Sequence, residues 1–461
     1  MLHAFRDDSA MSYELLFRDR AAIEAVQQSA LAEMMDLVCE RHPFYRSVLA
    51  DRNLRRDAFR SLSDLAKLPV TTKAAYMREP ERFVLSGEGL PEEMRMVWDT
   101  MYTTGSTSGR PTPFVSTSFD FYNILALQRN MLRLRGVTQR DIIANLFPVT
   151  RAPHGAWIRT LHAAASLNIP VVSAMPGNPS PYFDLGNGLD EVVRIVERHK
   201  ATILWGVPSY VNRVIERAAQ LGADFSPVHR VFVTGEALPE ASRGALREAL
   251  RRSGADRAAI SISYGSTEMQ GGMVECAPGA GYHNPAPDQF LVEVVDRDTH
   301  EPLPDGEPGL VLLTHLKRRG TVLLRYALGD ISERSRERCP HCGAATERLM
   351  TLPRRADALV KIKGMLVNPD LMLEALEAEL GARAFQVVIA GADPNAPLAA
   401  DVLSLRVAGD TDAVLAERLA ASVKQAVGVT PAVDFVHADA LADPSASWKA
   451  RKFVDRRDVN T

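Results

Sequence analysis

Segments of strand character alternate with segments of helical character between residues 141 and 252, and this alternation constrains the fold more than any other feature. Short apolar runs such as 202–206 carry glycine near their carboxyl ends, and a stretch with helical periodicity follows each run. Strands that alternate with helices pair in parallel through helical crossovers. The pattern predicts a parallel sheet whose ligands bind beyond the carboxyl ends of its strands, near Gly206, Gly235 and Gly265.

The rest of the chain differs from this region. From residue 281 onward, segments of strand character follow one another at 289–296, 309–316 and 322–326. Beyond residue 353, two helical segments and two strands predict a small α+β unit. We therefore predict an α/β fold with two domains. The large N-terminal domain, residues 1–355, has mixed and parallel sheets with helices and a β region, and the small α+β C-terminal domain covers residues 356–461.

The composition excludes several classes of protein. A chain of 461 residues is too long for one compact core, and its net charge of −3 gives no basic field for nucleic acid or a membrane surface. Four cysteines over this length argue against a disulfide-stapled secreted scaffold. The first ten residues have no apolar core of a signal peptide, and no apolar run reaches about 18 residues. We expect a cytoplasmic enzyme that does not cross a membrane.

A loop rich in glycine, serine and threonine follows a segment with strand character. Its central residues are Thr103, Thr104, Gly105, Ser106, Thr107, Ser108 and Gly109. Glycine lets backbone N–H groups point inward, and the hydroxyl groups add short donors, which suits the many acceptor oxygens of a polyphosphate. No Gly-Lys-Ser/Thr closes the loop, so it is not a P-loop. A flexible surface loop is the alternative interpretation.

Further motifs place chemically active side chains at predicted strand ends. Ser263, Tyr264, Gly265, Ser266, Thr267 and Glu268 follow a strand-prone segment, and Asp330 follows another. Gly235, Glu236 and Ala237 end a third strand, Arg355 lies near the predicted domain boundary, and Lys449 lies near the C-terminus. Taken singly, these motifs are also compatible with an ordinary turn, a solvated hairpin and a frayed basic tail.

In this order and spacing the motifs resemble those of the adenylate-forming enzymes, and within that superfamily the phenylacetate-CoA ligase branch. Residues 42–45 and 207–210 fit the same branch, and the resemblance covers nearly the whole chain. It implies that Thr103 to Gly109 hold the β- and γ-phosphates of ATP. It also implies that the small domain is mobile and turns about a hinge at Asp357 between two half-reactions.

The resemblance assigns the other site residues as well. Gly235, Glu236 and Ala237 would line the adenine pocket, and Tyr264, in the turn with Gly265 and Ser266, would stack on the base. Thr267 would contact the α-phosphate and Glu268 would help to bind Mg²⁺. Asp330, assisted by Arg355, would bind the ribose hydroxyl groups, and Lys449 would be the mobile catalytic lysine. A positioned lysine and Mg²⁺ suit this chemistry, because a carboxylate that attacks a phosphate brings two anions together.

Three of the four cysteines form part of a candidate metal site. Cys339 and Cys342 have the Cys-x₂-Cys spacing of a zinc knuckle, and Cys276 and His283 could complete a tetrahedral shell. Members of the resembled branch carry similar positions. A closed shell of four protein ligands would make the zinc structural. Two alternatives remain open, in which His341 replaces His283 or the thiols are free.

The acyl pocket is predicted to lie between His154, Trp157, Trp205, Gly206 and Ser263. Aromatic and glycine residues form a flat slot, which suits an aryl or arylacetic acid. His154 could orient the acid, or it could equally be a helix cap or a surface group.

The function predicted from these features is an AMP-forming acid–thiol ligase that activates an aromatic carboxylic acid with ATP and transfers it to CoA. The first alternative passes the acyl group to an amine or to a carrier-protein thiol. The second is a non-catalytic nucleotide-binding protein, which would have no need of Glu268, Asp330 and Lys449 together. A homodimer is compatible with the sequence, which leaves the oligomeric state open.

Overall fold

The structure is a computed structural model that describes residues 12–102, 112–149, 155–177, 186–235, 238, 240–355, 360–362, 365–390, 402–441 and 452–456. Several predicted site residues lie outside the described part of the chain, namely Thr103 to Gly109, His154, Glu236, Ala237, Asp357 and Lys449. Within the described part, none of the helices combines the length and the apolar character needed to cross a membrane.

Helices and a hairpin precede the large sheet in the chain. The helices are α1 (Arg20–Arg41), α2 (Pro43–Asp51), α3 (Lys73–Arg78) and α4 (Glu92–Arg95). Three 3₁₀ helices cover Arg56–Ala58, Leu62–Lys67 and Pro80–Phe83. Helix α1 begins where the Asp19 side chain accepts the backbone N–H of Ala22, and it buries one apolar face in the main core. Strands β1 (Val97–Tyr102) and β2 (Pro113–Thr117) pair as an antiparallel hairpin.

The predicted alternation of strands and helices forms the parallel half of a 12-stranded sheet. Its strands are β3 (Ile143–Asn145), β4 (Val171–Ser173), β5 (Ile203–Gly206), β6 (Arg230–Thr234) and β7 (Ala259–Ser266), in the spatial order β4-β3-β5-β6-β7. The helices of this region are α5 (Ser118–Leu134), α6 (Gly155–Leu167), α7 (Leu189–Arg198), α8 (Pro208–Leu221) and α9 (Glu240–Arg252). The predicted parallel α/β region is thus confirmed.

From β7 onward the same sheet continues with antiparallel pairs. Its strands are β8 (Gly271–Glu275), β9 (Tyr282–His283), β10 (Phe290–Val295), β11 (Pro308–His315), β12 (Tyr326–Ser335), β13 (Arg348–Leu349) and β14 (Arg354–Arg355). The order away from β7 is β8-β9-β13-β12-β11-β10, with β14 also paired to β12. The predicted change of texture near residue 281 therefore lies in the antiparallel half, which begins at β8.

The C-terminal part has its own sheets and its own core. Its elements are β15 (Val360–Ile362), β16 (Met365–Val367), α10 (Pro369–Leu380), β17 (Phe385–Ala390), β18 (Val402–Ala408), α11 (Ala413–Val427), β19 (Ala432–Val436), a 3₁₀ helix (Ala438–Leu441) and β20 (Phe453–Asp455). Four of the strands form a mixed sheet in the order β19-β18-β17-β20. The buried apolar side chains of this part form one cluster, separate from the main core.

One predicted strand is wrong. The apolar run from Val322 to Leu324 precedes β12 but is not part of a strand, and Arg325 has a left-handed backbone with φ of 44°. The polar groups of this segment bind elsewhere: the Val322 carbonyl contacts the His42 ring at 3.1 Å, and the Tyr45 hydroxyl contacts both the N–H and the carbonyl of Leu324. The sequence shows the apolar character of the run, but it does not show that the N-terminal helices provide its hydrogen bonds.

Candidate active site

A cavity lies at the carboxyl ends of β5, β6 and β7, where ligands bind in open parallel sheets. Trp205, Thr234 and Ser263 come from these three strand ends. Of the predicted ATP-site residues in the described part, Gly235, Tyr264, Gly265, Ser266, Thr267, Glu268, Asp330 and Arg355 all line this cavity. Residues separated by up to 120 positions in the sequence are thus gathered in one place.

The turn that carries Thr267 and Glu268 depends on close backbone contact between β7 and β8. A Cβ added at Gly265 would lie 2.6 Å from the carbonyl oxygen of Gly271, and a Cβ at Gly272 would lie 2.6 Å from the carbonyl oxygen of Tyr264. Glycine is needed on both strands because nothing larger fits. Within the turn, the backbone N–H and the side-chain amide of Gln270 both donate to the Thr267 carbonyl. The turn therefore holds its two reactive side chains in a fixed orientation.

Glu268 is a buried carboxylate fixed at two points. Its Oε1 accepts a hydrogen bond from the Tyr326 hydroxyl at 3.0 Å, and its backbone carbonyl contacts Nε2 of His315 at 3.0 Å. Because Nδ1 of His315 accepts the Leu323 N–H, Nε2 must be the protonated nitrogen. Burial lowers the pKa of His315 to about 3, so the ring is neutral at physiological pH. Within the described part of the chain, no hydrogen bond is made to the second carboxylate oxygen of Glu268, which leaves it for a cation or a ligand.

Asp330 connects Tyr264 with Arg355. The Tyr264 hydroxyl donates to Oδ2 of Asp330 at 2.7 Å, and Nε of Arg355 lies 3.5 Å from Oδ1. Burial is the main cause, and the nearby charge of Asp330 the second cause, of a Tyr264 pKa well above its ordinary value. The phenol therefore stays protonated and donates. Gly329, with φ of 82°, leaves room for the Arg355 guanidinium, which would lie 3.0 Å from a Cβ there. This arrangement presents a carboxylate to hydroxyl groups, as ribose recognition requires.

The predicted acyl residues separate into two groups. Trp205 and Ser263 line the cavity together with Phe147, Met131 and Ala156. Arg135 supports them from behind, since it donates to the Ser263 hydroxyl at 3.2 Å and lies 5.0 Å from the Trp205 ring.

Trp157 and Gly206, although described, do not line the cavity. The Trp157 ring packs at the edge of an apolar cluster, and its carbonyl accepts a bond from Asn145. A Cβ at Gly206 would lie 2.9 Å from Val211 and 3.0 Å from Leu146, so this glycine serves helix–sheet packing. Both residues flank the pocket in the sequence without forming its wall.

Sequence reasoning did not assign several other residues of the cavity wall to the site. They are Lys73, Gln128, Met131, Phe147, Arg159, Thr160, Thr234, Gln270, Gly271 and Leu328. Lysine scarcity could have identified Lys73, because only nine of the 54 basic residues are lysines. Lys73 is the first residue of α3, whose N-cap is Thr72. The preceding Thr71 forms a β-bridge with Tyr326, and its hydroxyl donates to the Leu324 carbonyl. Because the Tyr326 hydroxyl binds Glu268, these contacts fix the start of the helix beside Glu268.

The predicted metal ligands meet at a second place, in the antiparallel half of the sheet. Cys276 follows β8, His283 lies in β9, and Cys339 and Cys342 lie between β12 and β13. Their ligand atoms all lie within 4.8 Å of one another. Of the two histidines left open by the sequence, His283 is the one in the cluster, while His341 is exposed. Cys39, the remaining cysteine, is half-buried in α1.

The distances within this cluster match a tetrahedral zinc site. Zinc–sulfur bonds of about 2.3 Å at a tetrahedral angle place two sulfur atoms about 3.8 Å apart, and one sulfur and one nitrogen about 3.6 Å apart. Sγ of Cys276 lies 3.8 Å from Sγ of Cys339, and Sγ of Cys342 lies 3.6 Å from Nε2 of His283. The donor set and its spacing therefore fit zinc.

Comparison with known proteins finds similarity to AMP-binding enzymes and to CoA ligases. The family model described as AMP-binding enzyme matches residues 100–315. A phenylacetate-coenzyme A ligase of Thermus thermophilus is 27% identical over 360 residues, which cover 77% of this chain and 75% of the relative. A phenylacetate-coenzyme A ligase of Aromatoleum evansii is 24% identical over 448 residues, with 94% of each chain covered.

Among solved structures, a 2-hydroxyisobutyryl-CoA ligase in the postadenylation state has a TM-score of 0.77 to this chain. It is 21% identical, and the match covers 96% of this chain and 92% of the other. At this identity the match establishes the fold, which the two chains share over nearly their whole length.

Proposed function

We propose that the chain is an adenylate-forming enzyme of the phenylacetate-CoA ligase-like branch, and that it is an ATP-dependent, AMP-forming ligase that joins an aromatic carboxylic acid to CoA. One observation carries the proposal: a single cavity joins the Thr267–Glu268 turn and the Asp330–Arg355 pair to an apolar wall with Trp205 and Phe147. The first two features suit a nucleotide and the third suits an acyl group, so that a carboxylate and an α-phosphate would meet at the turn.

In the first half-reaction, the acid carboxylate attacks the α-phosphate of ATP and pyrophosphate leaves. Thr267 would donate its hydroxyl to the α-phosphate, and Asp330 would hold the ribose. Glu268 would hold Mg²⁺ through the oxygen that Tyr326 leaves unbound, and the ion would neutralise phosphate charge. Lys73, on the same cavity wall, would add a positive charge. These groups are fixed before the substrate binds, which is the condition for efficient electrostatic stabilisation.

Other parts of the proposal concern residues outside the described part of the chain. Thr103 to Gly109 would bind the β- and γ-phosphates, Glu236 and Ala237 the adenine, and Lys449 the oxygens on which charge develops. In the second half-reaction, the CoA thiol attacks the acyl-adenylate and AMP leaves, after the small domain over residues 356–461 turns at Asp357.

Acid-dependent ATP–pyrophosphate exchange tests this function. We expect exchange with at least one benzoate or arylacetate, and a loss of about 10²- to 10³-fold in Lys449→Ala. Release of AMP and an acyl thioester on addition of CoA identifies the acceptor. Exchange without a CoA-dependent product would favour an amine or a carrier-protein thiol instead, and ATP binding without exchange would favour a nucleotide-binding protein.

We also propose that the Cys276, His283, Cys339 and Cys342 cluster holds a structural zinc ion. The match of two independent distances to tetrahedral zinc supports this proposal. Four protein ligands leave no coordination position for substrate, and the cavity wall contains none of the four residues. Elemental analysis of the purified protein should find about one zinc per chain, and a preparation that is fully active without zinc would contradict the proposal.

A further inference from the structure

The cavity wall contains a polar cluster of Arg159, Gln270 and Gln128 beside the apolar surface of Phe147, Trp205 and Met131. The three polar residues are almost completely buried, with exposed fractions of 6%, 3% and 1%. A purely apolar acyl group would gain nothing from such neighbours, because burial of polar side chains costs free energy unless they are hydrogen-bonded. The cluster therefore needs an explanation beyond the aromatic slot.

Hydrogen bonds connect the polar cluster to the reactive turn. Nη2 of Arg159 donates to Oε1 of Gln270, whose own amide donates to the Thr267 carbonyl at 2.6 Å. Gln128 donates to the Gln270 carbonyl at 3.0 Å. Arg159 thus lies two hydrogen bonds away from the residue that we place on the α-phosphate, and a group bound to Arg159 would lie close to the acid carboxylate.

The charge of Arg159 is already compensated. Its Nη2 lies 3.0 Å from Oδ2 of Asp99 in β1, and both side chains are largely buried. Because Asp99 balances the guanidinium, a second carboxylate on the substrate would be repelled by Asp99, and an amine would be repelled by Arg159. The polar cluster is therefore suited to a neutral polar substituent.

Two atoms of this ion pair have no hydrogen-bond partner within the described residues. Nε of Arg159 is a buried donor and Oδ1 of Asp99 is a buried acceptor. Buried polar atoms are normally satisfied, and exceptions mark places where water or a ligand completes the bonding. One donor and one acceptor on the same pair match a hydroxyl group, which both accepts and donates.

We propose, on the basis of the proposed ligase function, that the acid substrate carries a hydroxyl group which binds to the Arg159–Asp99 pair. Arg159 is then the residue that distinguishes hydroxylated acids from their unsubstituted parents. Phe147 and Trp205 contact the carbon skeleton of the acid, and the polar cluster binds its substituent.

The test is pyrophosphate exchange with matched acids that differ only in the hydroxyl group. The panel consists of benzoate with its three hydroxybenzoates, and phenylacetate with its ring-hydroxylated and α-hydroxylated forms. We expect kcat/KM for at least one hydroxylated acid to exceed that of its parent about tenfold or more, because a site built to bind a hydroxyl group discriminates against its absence. The methoxy analogue of that acid, which accepts but cannot donate, should fall below the hydroxylated acid.

Variants then assign the preference to the polar cluster. Arg159→Met should reduce the ratio of hydroxylated acid to parent to about one, and Gln270→Met, which removes the acceptor that orients Arg159, should reduce it in part. Arg194→Met, which removes an exposed arginine on α7, is the matched control and should keep the full ratio. If one of the two cavity variants does not fold, the hydroxylated-to-parent ratio of the other variant still tests the role of the polar cluster. The methoxy comparison in the wild-type protein tests the need for a hydroxyl donor in either case.

The outcomes separate the two proposals. Exchange that is equal or faster with every unsubstituted parent overturns the hydroxyl proposal and leaves the ligase function standing, with water as the partner of the ion pair. A tenfold preference that survives in Arg159→Met also overturns the role of Arg159. Absence of exchange with every acid in the panel overturns the ligase function and, with it, the proposal that rests on it.

Discussion

The two halves of the 12-stranded sheet are stabilised in different ways. In the parallel half, strands β3 and β5 are buried along their whole length, and Ile143, Ile203 and Val231 have no exposed surface. The antiparallel half adds buried ion pairs to its apolar strands. Arg243 of α9 pairs with Glu275 of β8 at 3.1 Å, and Arg325 donates to three backbone carbonyls while lying 3.5 Å from Glu293. The Cys/His cluster lies in the antiparallel half as well.

This difference in packing predicts which half of the sheet tolerates substitutions. An apolar core loses free energy roughly in proportion to the volume removed, and its neighbours relax in part. A buried charge that loses its partner retains its full desolvation cost, so a single atom can matter more than a methyl group. The cavity lies on β7 and at the β7–β8 turn, where the two kinds of packing meet. We expect the antiparallel side to be the more sensitive of the two.

The largest effect is expected at the Cys/His cluster. Cys342→Ala removes one of four proposed zinc ligands, and we expect the free energy of unfolding to fall by more than about 4 kcal/mol with loss of bound zinc. Thermal unfolding and metal content measured on the same samples check this. Cys39→Ala, at the cysteine outside the cluster, should retain the metal and most of the stability. Equal losses in both variants would contradict a metal role.

Next in size is the ion pair that connects the two halves. Glu275→Gln removes the charge opposite Arg243, which is buried and also donates to the Ile260 carbonyl. Removing one charge of this buried pair should cost about 3–5 kcal/mol in urea unfolding. Glu216→Gln removes the partner of Arg252, an exposed arginine on the same helix α9, and should cost less than about 1 kcal/mol. Similar costs for the two variants would remove the distinction between the halves.

A pH dependence follows from His42, which packs against the connection between β11 and β12. Its Nδ1 accepts the Tyr45 N–H and its Nε2 contacts the Val322 carbonyl, so the buried ring is neutral with Nε2 protonated. Burial lowers its pKa from 6.5 to about 4. Below pH 6.5 the unfolded chain therefore binds more protons than the folded one, and stability falls as pH decreases towards 4.

Because of this histidine, we expect the free energy of unfolding to fall by about 1.4 kcal/mol per pH unit between pH 6 and 4. Urea unfolding at several pH values should show a shallower slope in His42→Asn, which retains an acceptor for the Tyr45 N–H. The exposed His199→Asn is the control. An unchanged slope in His42→Asn would mean that His42 does not titrate as its burial predicts.

The sequence predicted the apolar architecture better than the polar one. The helical segments and strands predicted beyond residue 353 are present, among them helix Pro369–Leu380 and strand Phe385–Ala390, since periodicity and caps mark them locally. The reactive turn after β7 was also found, because its residues are adjacent in the sequence. Arg159 was not assigned to the site, and Asp99 was not recognised as its partner, because the two residues lie 60 positions apart and only the folded chain brings their side chains within 3.0 Å.

The smallest predicted effect tests the parallel half directly. Ile203→Val removes one buried methyl group from β5, which pairs with β3 and β6 in the centre of the parallel strands. We expect a cost of about 0.5–1.5 kcal/mol in urea unfolding, because the volume lost is small and the β-branched shape is kept. Pyrophosphate exchange should be unchanged, since Ile203 lies outside the cavity wall that its neighbour Trp205 lines. A loss as large as that of Glu275→Gln would show that the parallel half is as intolerant as the antiparallel one, and that position in the sheet, not the kind of packing, decides sensitivity.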